Sequence, residues 1–146
     1  FRSVMIKNKA NAIWKGPINK GKGQINIPSV GTSLSYTFSS RFEHGDGTNP
    51  EELIASAHAG CFSMALSKLL SDHGFEPEQL DTTVEINLET NDANPKITES
   101  MIVTEAKVPG IDESLFMKLA LEARETCPVS VALGSVHKTM KAHLVK

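Results

Sequence analysis

Cysteine is scarce in this chain: Cys61 and Cys127 are the only two in 146 residues. A secreted scaffold of this size held by disulfides would carry more, so the count points to a reducing compartment, where thiols are either packed filler or chemically employed. Aromatic side chains make up 5 % of the sequence, with one Trp and one Tyr. That is too few for a platform that stacks nucleic-acid bases. Neither sign of charge dominates, since Lys and Arg total 15 against 17 Asp and Glu, a formal net charge of −2. Electrostatic capture of nucleic acid or of an anionic membrane is not expected. No apolar run approaches the roughly 18 residues of a membrane span, and the first residues lack the charged, apolar and small-residue order of a secretion signal. The expectation is a cytoplasmic protein with no nucleic-acid or membrane partner. Residues 1–4 read as an extraneous remnant or a disordered N-terminus, because Met5 could serve as a start. Residues 5–146 read as one domain, a length that falls within the usual range.

What is present is a sequence punctuated by turns. Residues 5–15 suit a first strand that stops at Gly16-Pro17. Gly21-Lys22-Gly23 turns into Gln24-Ile25-Asn26-Ile27, and an alternating segment from Leu34 to Phe42 predicts a third strand with Arg41 near its end. A loop over His44–Asn49 leads into Asn49-Pro50-Glu51-Glu52, a strong helix start, and the helix is predicted from Pro50 to Asp72 with its stop at Gly74. Apolar and small residues cover nearly every side of its first half, which predicts burial all round. Two alternating segments, Thr83–Thr90 and Lys96–Val108, form a predicted hairpin through Asn91–Pro95. Asp112 caps a helix ending near Thr126, Cys127-Pro128 opens a short one, and Val136–Val145 closes the chain as a strand. The order β-β-β-α-β-β-α-α-β gives an α+β class, with helices packed on largely antiparallel sheets.

The two thiols differ by position. Cys61 lies about three turns inside its helix, beyond the reach of the dipole at the first turn, so ionising it would require a cation delivered from elsewhere. Its bland role is a small filler. Cys127 at a helix cap faces free N–H groups, which favour a thiolate, although an ordinary cap is an equally simple role. Spacing alone leaves open whether the two sulfurs meet. His58 and Cys61 share one helical face and, with Cys127 and one of His44, His73, His137 or His143, could form a zinc site, but there is no second paired-ligand motif.

Two blocks carry a resemblance. Arg41-Phe42-Glu43 with Gly47–Ala55 and Ala57–Leu66, followed by Cys127-Pro128-Val129-Ser130, resembles the two signatures of the OsmC/Ohr family of thiol peroxidases. The likeness is closest to the osmotically inducible protein C branch and runs from about Ile6 onward, including Val108-Pro109-Gly110-Ile111-Asp112. It implies an OsmC-like fold and a cysteine-based peroxidase that reduces organic hydroperoxides, and hydrogen peroxide more weakly, with no cofactor and no metal. Carried onto this sequence, the resemblance makes Cys61 the peroxidatic cysteine and Cys127 the resolving one that pairs with it in a disulfide. It gives Arg41 the stabilisation of the thiolate and Glu51 the orientation of Arg41. It further implies an external dithiol reductant, of lipoyl type, and a homodimer with active sites near the interface. The alternative is a non-redox protein of the same fold, either a small-molecule binder or a zinc-dependent structural unit.

Overall fold

A computed structural model describes residues 3–91 and 93–146. The expectations for Phe1, Arg2 and the turn residue Asp92 lie outside the described residues. The chain divides into two compact units, Phe1–Pro50 and Glu51–Lys146.

The N-terminal unit is an antiparallel sheet of β1 (Asn11–Lys15), β2 (Lys22–Ile27) and β3 (Thr32–Tyr36), with β2 in the middle and a single 3-10 turn at Pro28–Val30. Trp14, Gly23 and Tyr36 fall in one register row. The chain's one Trp and one Tyr approach to 5.5 Å between ring centroids, and a Cβ on Gly23 would collide with both rings. Glycine is required there so that the aromatic pair can cover the strand. The third predicted strand stops at Tyr36 and is followed by a helix, α1 (Phe38–Phe42). The alternation of Phe38, Ser40 and Phe42 misled because Thr37 and Ser40 form a capping box. The Ser40 N–H donates to Thr37 Oγ1 at 3.1 Å, and the Thr37 N–H donates to Ser40 Oγ at 2.8 Å. Arg41 therefore sits in the last turn of a short helix, not on a strand.

The second unit is built on α2 (Pro50–Asp72), β4 (Gln79–Glu89), β5 (Lys96–Lys107), α3 (Glu113–Thr126), α4 (Pro128–Ala132) and β6 (His137–Leu144). The α2 helix ends as predicted at Gly74, which adopts φ 85°. The Phe75 N–H donates to Leu70 O at 2.9 Å and the Gly74 N–H to Ser71 O at 3.0 Å, a Schellman closure. Strand β5 is central, antiparallel to β4 and parallel to β6. The parallel pair is possible because α3 and α4 together make the long crossover it needs. Phe116, Leu119, Ala120 and Ala123 make one stripe of α3, spaced for a single helical face. With Phe62, Leu66 and Leu70 of α2 and Val84, Ile102 and Ala106 of the sheet they form the core. Each large side chain buried there contributes roughly 1.5–3 kcal/mol. A hydroxyl ladder ties α2 to the sheet: Ser63 Oγ donates to Thr82 Oγ1 at 2.8 Å, which lies 2.9 Å from Thr104 Oγ1.

Burial of α2 is narrower than expected. His58, Phe62, Leu66 and Leu70 are buried, whereas Ala57, Gly60 and Met64 are exposed, Met64 at 77 %. Small residues on several faces mark a helix that could be approached closely, but among the described residues full burial is confined to Glu51 and the i, i+4 ridge from His58 to Leu70. By length and composition α2 is also apolar enough to cross a membrane, although its buried ridge belongs to the core just described.

Candidate active site

Two consecutive amides organise the site. Pro128 opens α4, and the amides of Val129 and Ser130 fall in its first turn, where no preceding helical carbonyl can accept them. Both find sulfur. The Val129 N–H donates to Cys61 Sγ at 3.5 Å, and the Ser130 N–H donates to Cys127 Sγ at 3.4 Å. Cys127 is thus the N-cap that the sequence predicts, with sulfur in the place usually taken by oxygen. Both cysteines are free thiols, and Cys127 is near enough to raise the pKa of Cys61. Cys61 is half-buried on α2 and Cys127 is 1 % exposed.

Around Cys61 the balance favours the protonated thiol. Burial pushes its pKa up, the Val129 N–H works against that rise, and the neighbouring Cys127 adds to it. The surroundings of Cys61 on its own helix therefore do not favour its thiolate.

Behind Cys127 runs a polar chain that sequence reasoning did not find. The Cys127 thiol donates to Ser130 Oγ at 3.1 Å. Ser130 Oγ lies 2.6 Å from His58 Nε2, and His58 Nδ1 lies 2.7 Å from Ser100 Oγ on β5. His58 is fully buried. Burial, and then the charge of Lys138, hold its pKa below the ordinary value. Both ring nitrogens of His58 thus face serine hydroxyls, so the pairing with Cys61 that a zinc or hydrolase site would use is not made. Among the described residues no group of three or more His, Cys, Asp or Glu side chains is arranged to hold a metal. The one available signal for the relay was Ser130 three residues after Cys127, which sequence reading treats only as part of a short helix.

Arg41 and Glu51 stand on different elements, α1 and α2. Arg41, in the N-terminal unit, stands 5.3 Å from the centre of the Phe42 ring and helps line a pocket of about 230 Å³ with Trp14, Tyr36, Phe38 and Phe42. Glu51 is buried in the first turn of α2.

Comparison with known proteins gives the lineage. Residues 43–141 match the model of the OsmC-like protein family. The chain is 46 % identical over 131 residues to the peroxiredoxin OsmC of Escherichia coli K12, covering 89 % of this chain and 92 % of that one. It is 31 % identical over 100 residues to an organic hydroperoxide resistance protein of Xanthomonas axonopodis pv. citri, covering 66 % and 67 % of the two chains. In fold it resembles an OsmC-like protein of unknown function from Vibrio cholerae, with a TM-score of 0.77 at 14 % identity, over 94 % of this chain and 99 % of that one. Signature blocks, fold and sequence identity agree, and the chain belongs to the OsmC-like protein family.

Proposed function

We propose that this protein is a thiol-based peroxidase that reduces organic hydroperoxides, and hydrogen peroxide more weakly, to alcohol or water. The observation that carries the reading is the meeting of two free thiols, far apart in sequence, at consecutive amides of one short helix. The relatives named for peroxiredoxin and hydroperoxide-resistance activity support it.

Ionised Cys61 attacks the peroxide oxygen distal to the organic group. The O–O bond breaks, alkoxide leaves and takes up a proton as alcohol, and Cys61 becomes a sulfenic acid. Its own surroundings keep the Cys61 thiol protonated, so a cation must favour the anion, and Arg41 has that role in this reading. A guanidinium offers several donors in one plane, suited both to the thiolate and to the oxygen that leaves. Glu51 orients Arg41. Cys127 then displaces hydroxide from the Cys61 sulfur, and an external dithiol of lipoyl type reduces the resulting disulfide. The protein acts in the cytoplasm as a homodimer, a state supported by the exposed face of α2 that carries the small residues Ala57 and Gly60 beside the large apolar Met64.

Intact mass after treatment with tert-butyl hydroperoxide tests the chemistry. Loss of two hydrogens with disappearance of both titratable thiols is the expected result. Two thiols surviving an excess of the hydroperoxide would overturn the reading.

A further inference from the structure

The polar chain behind Cys127 has a direction. Cys127 donates its proton to Ser130 Oγ, so the Ser130 hydroxyl proton must point elsewhere, and His58 Nε2 lies 2.6 Å away. Nε2 is then the unprotonated nitrogen. Nδ1 carries the proton and donates it to Ser100 Oγ at 2.7 Å. All four groups are buried, and every buried side-chain nitrogen and oxygen among the described residues has a partner. A satisfied chain of this kind in a low-dielectric interior holds its members in one arrangement.

We propose that His58, acting through Ser130, accepts the proton that the Cys127 thiol gives up when it attacks oxidised Cys61, with Ser100 fixing the imidazole tautomer that permits it. The proposal rests on the peroxidase reading and concerns its second step alone. The thiol proton passes to Ser130 Oγ as the Ser130 proton passes to His58 Nε2. The Cys127 sulfur lone pair forms the S–S bond, and the S–O bonding pair of the Cys61 sulfenic acid leaves with oxygen as hydroxide. The proton held on His58 returns by way of Ser130 or solvent, and the hydroxide departs as water. The oxidising equivalent is the one the hydroperoxide delivered to Cys61. Ser130 touches the reacting sulfur, whereas His58 is a positioning residue that acts through it.

The surroundings of His58 keep its ring unprotonated and free to accept, while making it a weaker base than an exposed imidazole. Lys138 of β6 stands in register with Ser100, and its ammonium donates to Leu133 O at 2.7 Å and Val136 O at 2.9 Å. From the α4 side the titratable group is Cys127, and on α2 itself they are Cys61, one turn further on, and buried Glu51, two turns before. The imidazole stays neutral at neutral pH because burial and Lys138 both disfavour its cation. The second step should therefore run at full rate near neutrality and slow only in acid, as His58 takes up a proton and can accept no other.

Single-turnover mixing of the reduced protein with tert-butyl hydroperoxide separates the two steps, with peroxide loss reporting the first and disulfide formation the second. In Ser130→Ala and His58→Gln, peroxide loss should stay within about twofold of wild type while disulfide formation slows about a hundredfold, the usual scale of a lost proton acceptor. Dimedone should then trap the Cys61 sulfenic acid, and the acid limb of the second step should vanish in His58→Gln. Ser130→Ala keeps the imidazole in place, so the proposal remains testable if His58→Gln folds poorly. A second step unchanged in rate and pH profile overturns the relay and leaves the peroxidase standing. Equal slowing of both steps also overturns it, as general damage. Wild-type protein that consumes no hydroperoxide overturns the peroxidase reading and the relay with it.

Discussion

The middle of α2 and the junction of α3 with α4 each present one thiol to the same pair of amides, yet they surround it differently. Cys61 receives a single backbone N–H at 3.5 Å and is otherwise pushed toward its protonated form by burial. Cys127 has the corresponding N–H and also an outlet for its proton, through Ser130 to His58. Two cysteines of equal chemistry thus stand in different surroundings, one half-buried with its pKa raised and one fully buried beside a serine that reaches a histidine.

Exchanging each cysteine breaks the comparison most severely. Cys61→Ser should lose hydroperoxide consumption altogether, read as peroxide remaining by a colorimetric assay. Cys127→Ser should still consume one equivalent, but stop at a Cys61 sulfenic acid that excess peroxide carries on to the sulfinic form, seen as added oxygen by intact mass. Normal turnover of Cys127→Ser with a dithiol would remove the distinction between the two.

Arg41→Ala tests the cation. Each pH unit by which the Cys61 pKa rises corresponds to about 1.36 kcal/mol of lost preference for the thiolate, or about a tenfold fall in the thiolate fraction at neutral pH. The pH–rate profile of peroxide loss should shift to alkaline pH, and an unmoved profile would reject the role.

A smaller effect is expected at Val129. Val129→Pro deletes the N–H that faces Cys61 and also replaces a side chain packed on the core, while the Ser130 amide on Cys127 is kept. Peroxide loss at neutral pH should slow by about tenfold or less, the range for a weak hydrogen bond to an anion, while disulfide formation holds its rate. Circular dichroism should confirm that α4 is retained.

The smallest effect is on stability. Folded His58 has a lowered pKa, so below its ordinary value of about 6.5 the unfolded chain binds the extra proton and the folded one does not. Stability is complete above that pH and declines as pH falls toward the folded value. Urea midpoints measured from neutral to acid should show this decline, and His58→Gln should flatten it.

Much of the fold was legible because local chemistry agrees with it. Asn49-Pro50, Gly74, Asp112 and Cys127-Pro128 mark helix ends at the positions found. The third strand was overextended because Phe38, Ser40 and Phe42 satisfy a period of two as well as a short helix does, and only the Thr37–Ser40 exchange of hydrogen bonds decides between them. The parallel pairing of β6 was hidden because a strand's sequence records its faces and not its neighbour's direction. The signature blocks pointed to Cys61 and Cys127, while the relay stayed out of sight: Ser100, Ser130 and His58 belong to three elements, and a pattern of single serines has no spacing that announces a contact.

That parallel strand also bears on the order of assembly. β4 and β5 meet through a short turn, so their hairpin closes with little loss of chain entropy, on the scale of about 1–10 μs for such units. β6 can join β5 only after α3 and α4 have folded back across the sheet, a non-local and slower event. Cys127 rides on that returning crossover, so it reaches Cys61 late, when the surrounding core is already closing.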